Sequence, residues 1–431
     1  MIKQKLRDGT FLTALSYLYP SQKEDAHIAA KRYLDLVERM ENRFGTGGTI
    51  RLFSAPGRTE LGGNHTDHQH GHVLAASVNL DMIAAVRPQD SLLIEIDSEG
   101  FSPIVVDLHH LTPLQEEKNT AAALVRGIAA KLISLGYPIK GFQASISSDV
   151  WQGSGLSSSA AFEVLIGCIL NSFYCNEKES LVSIAQIGQY AENVFFGKPC
   201  GLMDQTASAV GGFVSIDFQN PSKPIVERIP FDFSSCGHAL CIVNTRGSHA
   251  DLTGEYAAVP QEMCAVANYF GEEVLRDVPS QQVLSHIKEL RSACSDRAVL
   301  RAIHFYDDDA NAQLEAEALK KHDFDGFLKH IRTSGLSSAL HLQNTYAPSN
   351  PAEQSIPLAL ALCQKILGEK GAYRVHGGGF AGTIQAFVPF PLLSTFQTGM
   401  DAVFGEGSCH ALSIRPVGGI ELKETLTLPT L

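Results

Sequence analysis

GSGLSSSAAFEVLIGCIL, Gly153 to Leu170, joins a small-residue loop directly to an apolar helix. Gly153 and Gly155 let the backbone turn without a Cβ clash, while Ser157, Ser158 and Ser159 cap the helix and offer hydroxyls. The unpaired N–H groups of the first turn face outward with the positive end of the helix dipole behind them, so a polyphosphate is a natural guest. No lysine follows the glycines, as a Walker A loop would require; nucleotide would have to be held by amides, serines and a metal. For this segment alone, a serine-capped helix after a glycine turn is the plain alternative.

The chain has 431 residues, 44% hydrophobic and 19% charged, enough for two cores and well away from the composition of disordered chains. A formal charge of −12 argues against general binding of nucleic acid or anionic membrane, although a small anion can still bind locally. The nine cysteines include no CxxC pair and no His/Cys cluster at zinc spacing, which favours reduced thiols. The opening MIKQKLRDGTFLTAL has no signal-peptide pattern and no run approaches membrane-spanning length, so a cytoplasmic location is expected.

The first 45 residues read as helical, with Ala29, Tyr33, Leu34, Leu36 and Val37 on one face. From Ile50 the pattern changes to short β runs, IRLFSAP, HVLAASVNL, MIAAVRP and LLIEID. Helix signals at Ala121 to Leu135, a strand at Gly141 to Ser147, and a helix from Ser180 to about Phe196 follow. Beyond ALCIVNT, a strand, a long helical region runs from about Gln261 to Ile331. The fold class is α/β with a second α+β core. The Pro/Ser-rich stretch Pro221 to Pro230 places the domain split near 225, giving domains 1–225 and 226–431.

Chemistry-bearing residues cluster in three further places. SAPGRTELGGNHTDHQHG, Ser54 to Gly71, carries Arg58, suited to forked contacts with phosphate or carboxylate, and Asp67, suited to vicinal hydroxyls. Asn64, His65 and His68 add polar partners; a zinc site using His65, Asp67, His68, His70 and His72 is the less favoured reading. In GQYAENVFFGKPCGLMDQTASAVGG, Glu192 suits a Mg²⁺ ligand and Asp204 a group that orients and deprotonates a hydroxyl, against the plain alternative of a helix cap at Asp204 and Gln205. YRVHGGGFAGTIQAFV, Tyr373 to Val388, offers the backbone amides of Gly377 to Gly379 to the phosphates or to the site wall.

In this order, APGRxxLGxxHTD, GSGLSSSAA, GLMDQ and GGGFAGT resemble the GHMP small-molecule kinases, specifically their galactokinase branch. The resemblance implies an N-terminal domain of the ribosomal S5 domain 2-like type, a ferredoxin-like C-terminal domain, and an active site in the cleft between them. It implies transfer of the γ-phosphoryl group of ATP, with Mg²⁺, to the anomeric hydroxyl of galactose. Arg58 would stabilise the reacting oxygens and Asp204 would be the catalytic carboxylate. Ser159 and Glu192 would hold Mg²⁺, and Gly153, Ser154, Gly155, Leu156, Ser157 and Ser158 would wrap the phosphates. Asn64, His65, Asp67, His68 and Tyr256 would face the sugar.

The chain also departs from the family pattern. Asn64 stands where a glutamate is usual and His68 where a tyrosine is, which makes a uronic acid such as galacturonate the leading substitute substrate. Trp151 replaces the usual proline before the phosphate loop, and His376 and Ala381 replace threonine and glycine. A non-catalytic sugar and nucleotide sensor is the competing class, although the serines, Arg58 and Asp204 are intact. The partner expected is a small-molecule sugar, with neither nucleic acid nor membrane; the sequence does not fix an oligomeric state.

Overall fold

The computed structural model describes residues 2–20, 23–151, 155–247, 252–426 and 431. Its strands are β1 Arg51–Gly62, β2 His72–Pro88, β3 Leu93–Ser98, β4 Ile104–Asp107, β5 Phe142–Ser148, β6 Phe213–Asp217 and β7 Ile225–Ile229, then β8 His238–Asn244, β9 Ala372–Val375, β10 Thr383–Pro389, β11 Cys409–Leu412 and β12 Ile420–Leu422. The first sheet runs β12-β1-β2-β5-β3-β4, with β6 also paired to β2 and β7 to β6. HVLAASVNL and MIAAVRP, expected as two strands, form one: β2 pairs β6 through His72 to Ala76 and β5 through Met82 to Pro88. Asp81, the single residue between the two runs, stays extended because partners meet it, its carbonyl accepting from the Asp149 N–H at 2.9 Å.

Both faces of this sheet are covered, and the two-residue period of a strand sorts the side chains. Phe53, Ala55, Ala84 and Val86 enter a core with the helices Ala121–Ser134, Ser158–Tyr174 and Leu181–Ala191. Leu52, Ile83 and Ala85 point the other way, against Tyr33, Val37 and Met40 of the N-terminal helix Lys23–Phe44. On that side Asp81 is fully buried. It accepts from Tyr19 Oη and Ser54 Oγ at 2.5 Å each, Arg415 Nη1 at 2.8 Å and Arg32 Nη1 at 3.0 Å.

The second sheet, β11-β8-β10-β9, is antiparallel throughout. With helices in the β8–β9 and β10–β11 connections, this order is the ferredoxin-like βαββαβ arrangement that the resemblance implied. The β8–β9 crossover is greatly enlarged. The single helical region expected from Gln261 to Ile331 is a set of separate helices, chiefly Thr253–Tyr269, Asp296–Lys320 and Phe324–Ser337, interrupted around Gly271 and Pro279. Strand membership does not divide cleanly at 225: β7 belongs to the first sheet, and β12 returns to it, pairing with β1 from Leu52 to Ser54. None of the helices is long and apolar enough to cross a membrane, among the described residues.

Candidate active site

The helix Ser158–Tyr174 begins after Ser157, whose backbone is left-handed (φ 55°), so the loop turns sharply into the helix. That turn is locked to β1: Arg58 N–H donates to Leu156 O at 3.0 Å and Arg58 Nη1 to Gly155 O. The remaining guanidinium edge grips Asp204 bidentately, Nε to Oδ1 at 2.8 Å and Nη2 to Oδ2 at 2.7 Å. Asp204 stands in the first turn of the helix Met203–Val210, placed there by the loop that follows Glu192.

Glu192 opens a π-helical turn, Glu192–Phe196, closed by Gly197 at φ 85°, a left-handed position suited to glycine. The N–H groups of Gly197 and Lys198 both donate to Glu192 O, at 2.9 and 3.2 Å. The expected single helix from Ser180 to about Phe196 is thus α-helical only to Ala191. The π turn aims the Glu192 carboxylate inward, where Oε2 accepts from Gln205 Nε2 at 3.0 Å.

These elements enclose a cavity of about 280 Å³, lined by Arg58, Asp67, Gly155, Ser157, Ser158, Ser159, Glu192, Lys198, Gly201 and Asp204, with Trp151, Cys200, Met203 and Gln205. Trp151, Ser158 and Ser159 also line a larger neighbouring cleft of about 1080 Å³, whose walls include Phe101, Ile104, Phe162 and Phe196. Arg58, Asp67, Gly155, Ser157, Ser158, Ser159, Glu192 and Asp204 therefore share one space. Leu156 is fully buried, so only its backbone is available. Gly153 and Ser154 lie outside the described residues.

Asp67 follows a different path into the cavity. Its Oδ1 accepts from the His68 N–H at 2.9 Å, and burial, before that hydrogen bond, sets its pKa, raising it above the ordinary carboxylate value. A Cβ added at Gly201 would lie 2.4 Å from Asp67 Oδ2. Gly201→Ala is therefore expected to displace this carboxylate; with Asp67 on the acceptor, as the resemblance implies, steady-state kinetics would show the acceptor KM raised by about tenfold or more and kcat less affected. An unchanged acceptor KM would detach Asp67 from acceptor binding.

The other sugar-loop residues are placed otherwise. Asn64, expected to face the sugar, is fully buried with its amide already committed. Its Nδ2 donates to Glu60 Oε1 and Gly377 O, both at 2.8 Å, and its Oδ1 accepts from Asn344 Nδ2 at 2.8 Å. His65 Nε2 meets Gly378 O at 3.0 Å, and Tyr256 Oη donates to Gly379 O at 2.9 Å. The triple-glycine turn thus presents the Gly377 and Gly378 carbonyls to the sugar loop and the Gly379 carbonyl to Tyr256. None of Asn64, His65, His68 or Tyr256 lines the 280 Å³ cavity. Burial lowers the His65 pKa to about 4 and that of His68 to about 3, so both rings are neutral at pH 7. His376 bridges Thr59 and Thr383 at 3.0 Å each, and burial lowers its pKa to about 3.

Glu192 and Ser159 supply hard oxygens on the same wall, which fits a Mg²⁺ that takes its remaining ligands from phosphate and water. Among the described residues no group of three or more His, Cys, Asp or Glu side chains could hold a metal by itself. Two residues that sequence reasoning passed over stand close by. Glu163, one turn beyond Ser159, shares Gln205 Nε2 with Glu192, accepting at 2.9 Å; burial, then repulsion by Glu192, raises its pKa well above the ordinary value. The four-residue spacing from Ser159, in an otherwise apolar helix, was its signal. Lys198 carried none, since its place depends on the π turn.

Residues 121–212 match the family described as GHMP kinases N terminal domain, and residues 38–88 match the Galactokinase galactose-binding signature. The galactokinase of Actinobacillus pleuropneumoniae is 32% identical over 348 residues, covering 78% of this chain and 84% of the relative. The chain belongs to the galactokinase family. The galactokinase of Glaesserella parasuis serovar 5 is 31% identical over 358 residues, covering 81% of this chain and 88% of the relative. The Lactococcus lactis galactokinase complexed with galactose shares the fold, with a TM-score of 0.76 at 22% identity over 89% of this chain and 98% of that one. Membership makes the chain a galactokinase-like sugar kinase, a phosphotransferase, and implies ATP as donor.

Proposed function

We propose that this chain is a sugar-1-kinase acting on galactose, transferring the γ-phosphoryl group of ATP to the anomeric hydroxyl. The observation that carries the reading is the bidentate Arg58–Asp204 pair set beside the serine-lined helix tip, in one cavity with Asp67. The serine hydroxyls and first-turn amides receive the phosphates, favoured by the helix dipole. The apolar walls of the larger cleft, Phe101, Ile104 and Phe162, suit the nucleotide base, with Trp151 at the junction of the two spaces.

Asp67 accepts hydrogen bonds from ring hydroxyls. Asp204 orients the reacting hydroxyl and takes its proton as the new O–P bond forms and the γ-phosphorus bond to the bridging oxygen breaks to release ADP, while Arg58 offsets charge on the reacting oxygens. Arg58 is fixed by the Gly155 carbonyl and by Asp204, so its geometry is set before substrate arrives. Ser159 and Glu192 would hold Mg²⁺, which supplies charge neutralisation at the phosphates when bound. The galactose-binding signature over residues 38–88 and the galactokinase relatives support galactose as acceptor.

ADP release from MgATP with a panel of free sugars and uronic acids tests this reading. Galactose is expected to give the highest kcat/KM, with a product in which the anomeric position carries phosphate. Turnover only with galacturonate would replace the acceptor, and no turnover with any sugar would overturn the kinase assignment in favour of a sensor.

A further inference from the structure

The glycine loop has no lysine, and a polyphosphate entering the 280 Å³ cavity meets three carboxyl groups, Asp67, Glu192 and Asp204, against two basic side chains, Arg58 and Lys198. Arg58 is committed: Nε and Nη2 hold Asp204, and Nη1 holds Gly155 O. Lys198 is differently placed. Its ammonium stands 3.6 Å from Glu192 Oε1, and its side chain is 64% exposed. The contact is long and its ammonium end lies in solvent while Glu192 is only 5% exposed, so the lysine is free to swing provided another cation takes its place at the carboxylate.

The backbone around Lys198 is by contrast anchored on both sides. Lys198 N–H and Gly197 N–H donate to Glu192 O, Cys200 N–H donates to Asn193 Oδ1 at 2.8 Å, and Gln189 Nε2 donates to Cys200 O at 3.1 Å. The loop therefore holds the base of the side chain at the cavity wall and leaves four methylenes to move.

Resting on the nucleotide reading above, we propose that Lys198 is the phosphate-binding cation of this site, leaving Glu192 for the terminal phosphates of ATP when nucleotide enters. It supplies from the π-turn loop the positive charge that a Walker A lysine would supply from the glycine loop. Release from Lys198 also frees Glu192 Oε1 as an oxygen donor towards Mg²⁺.

The test uses the full chain with Lys198→Met and Lys198→Arg, alone and combined with Glu192→Gln. Affinities for ATP, ADP and AMP are measured by calorimetry with Mg²⁺ and with EDTA, and thermal melting confirms folding. Lys198→Met is expected to weaken ATP by about 10- to 100-fold, ADP less and AMP not at all, and Lys198→Arg to restore most of the loss. The loss persists with Glu192→Gln in place if the ammonium touches phosphate. Unchanged ATP affinity in Lys198→Met, or a loss that disappears in the Glu192→Gln background, would overturn the proposal while leaving the kinase reading intact. Failure of the unsubstituted protein to bind ATP would instead overturn both.

Discussion

Asp204→Asn is expected to lower kcat by roughly 10²- to 10⁴-fold, the range lost when a positioned general base is removed. Asparagine preserves the shape and one acceptor oxygen but cannot take a proton, and because both Asp204 oxygens face Arg58, either amide orientation sets its NH₂ against a guanidinium N–H. Arg58, whose side chain is 9% exposed, keeps Gly155 O but loses its paired carboxylate, so a small fall in melting temperature accompanies the loss of turnover. Steady-state ADP release and thermal melting, measured on one preparation, separate the two effects. Near-normal turnover would remove Asp204 from the chemistry, and collapse of folding with Asp204→Asn would make it a structural partner of Arg58.

Asp81→Ala is expected to cost about 3–5 kcal/mol of stability, because breaking a buried ion pair strands the remaining charge. Arg415 and Asp81 are both fully buried, and Tyr19 and Ser54 also direct hydroxyls to this carboxylate. Burial alone would raise the Asp81 pKa, but Arg32 and Arg415, with hydrogen bonds from Ser54 and Tyr19, outweigh it and hold the group below the ordinary carboxylate value. A carboxylate lowered in this way contributes stability above its unfolded pKa near 4 and loses that contribution as pH falls through the lower folded value. Urea unfolding at pH 7 reads the loss directly. Between pH 5 and 2 the variant is expected to show a shallower decline than the parent, and equal slopes would place the acid sensitivity elsewhere.

Much of the site was legible because its signals are local. A glycine–serine loop feeding an apolar helix needs only neighbouring residues to become an anion site, and Arg58, Ser157, Ser158, Ser159, Glu192 and Asp204 do meet at it. Residues whose placement depends on distant partners were read less well. Asn64 looked like a polar loop residue, yet Glu60, Gly377 and Asn344 consume its amide. The triple glycine was read through its amides alone, and the contacts its carbonyls make to the sugar loop and Tyr256 were not foreseen.

Strand boundaries failed for a related reason. The charged residue Asp81 read as a break, and Arg415, Arg32, Tyr19 and Ser54, remote in the chain, make an extended conformation comfortable there. Periodicity found helices between Gln261 and Ile331 but not their ends, since tertiary contacts decide where each stops. The departure of Glu192 from α-helical geometry has no signature in residue type, and Lys198 was invisible without it.

The pairing of β12 with β1 has a consequence for biosynthesis. Leu52 to Ser54 are made long before the strand that covers their free edge, Ile420 to Leu422. Val417, Ile420 and Leu422 are also the closing pieces of the layer under the N-terminal helices. Until those residues emerge the nascent chain must carry an open, sticky margin, so a chain cut shortly before residue 417 would yield aggregates or chaperone clients.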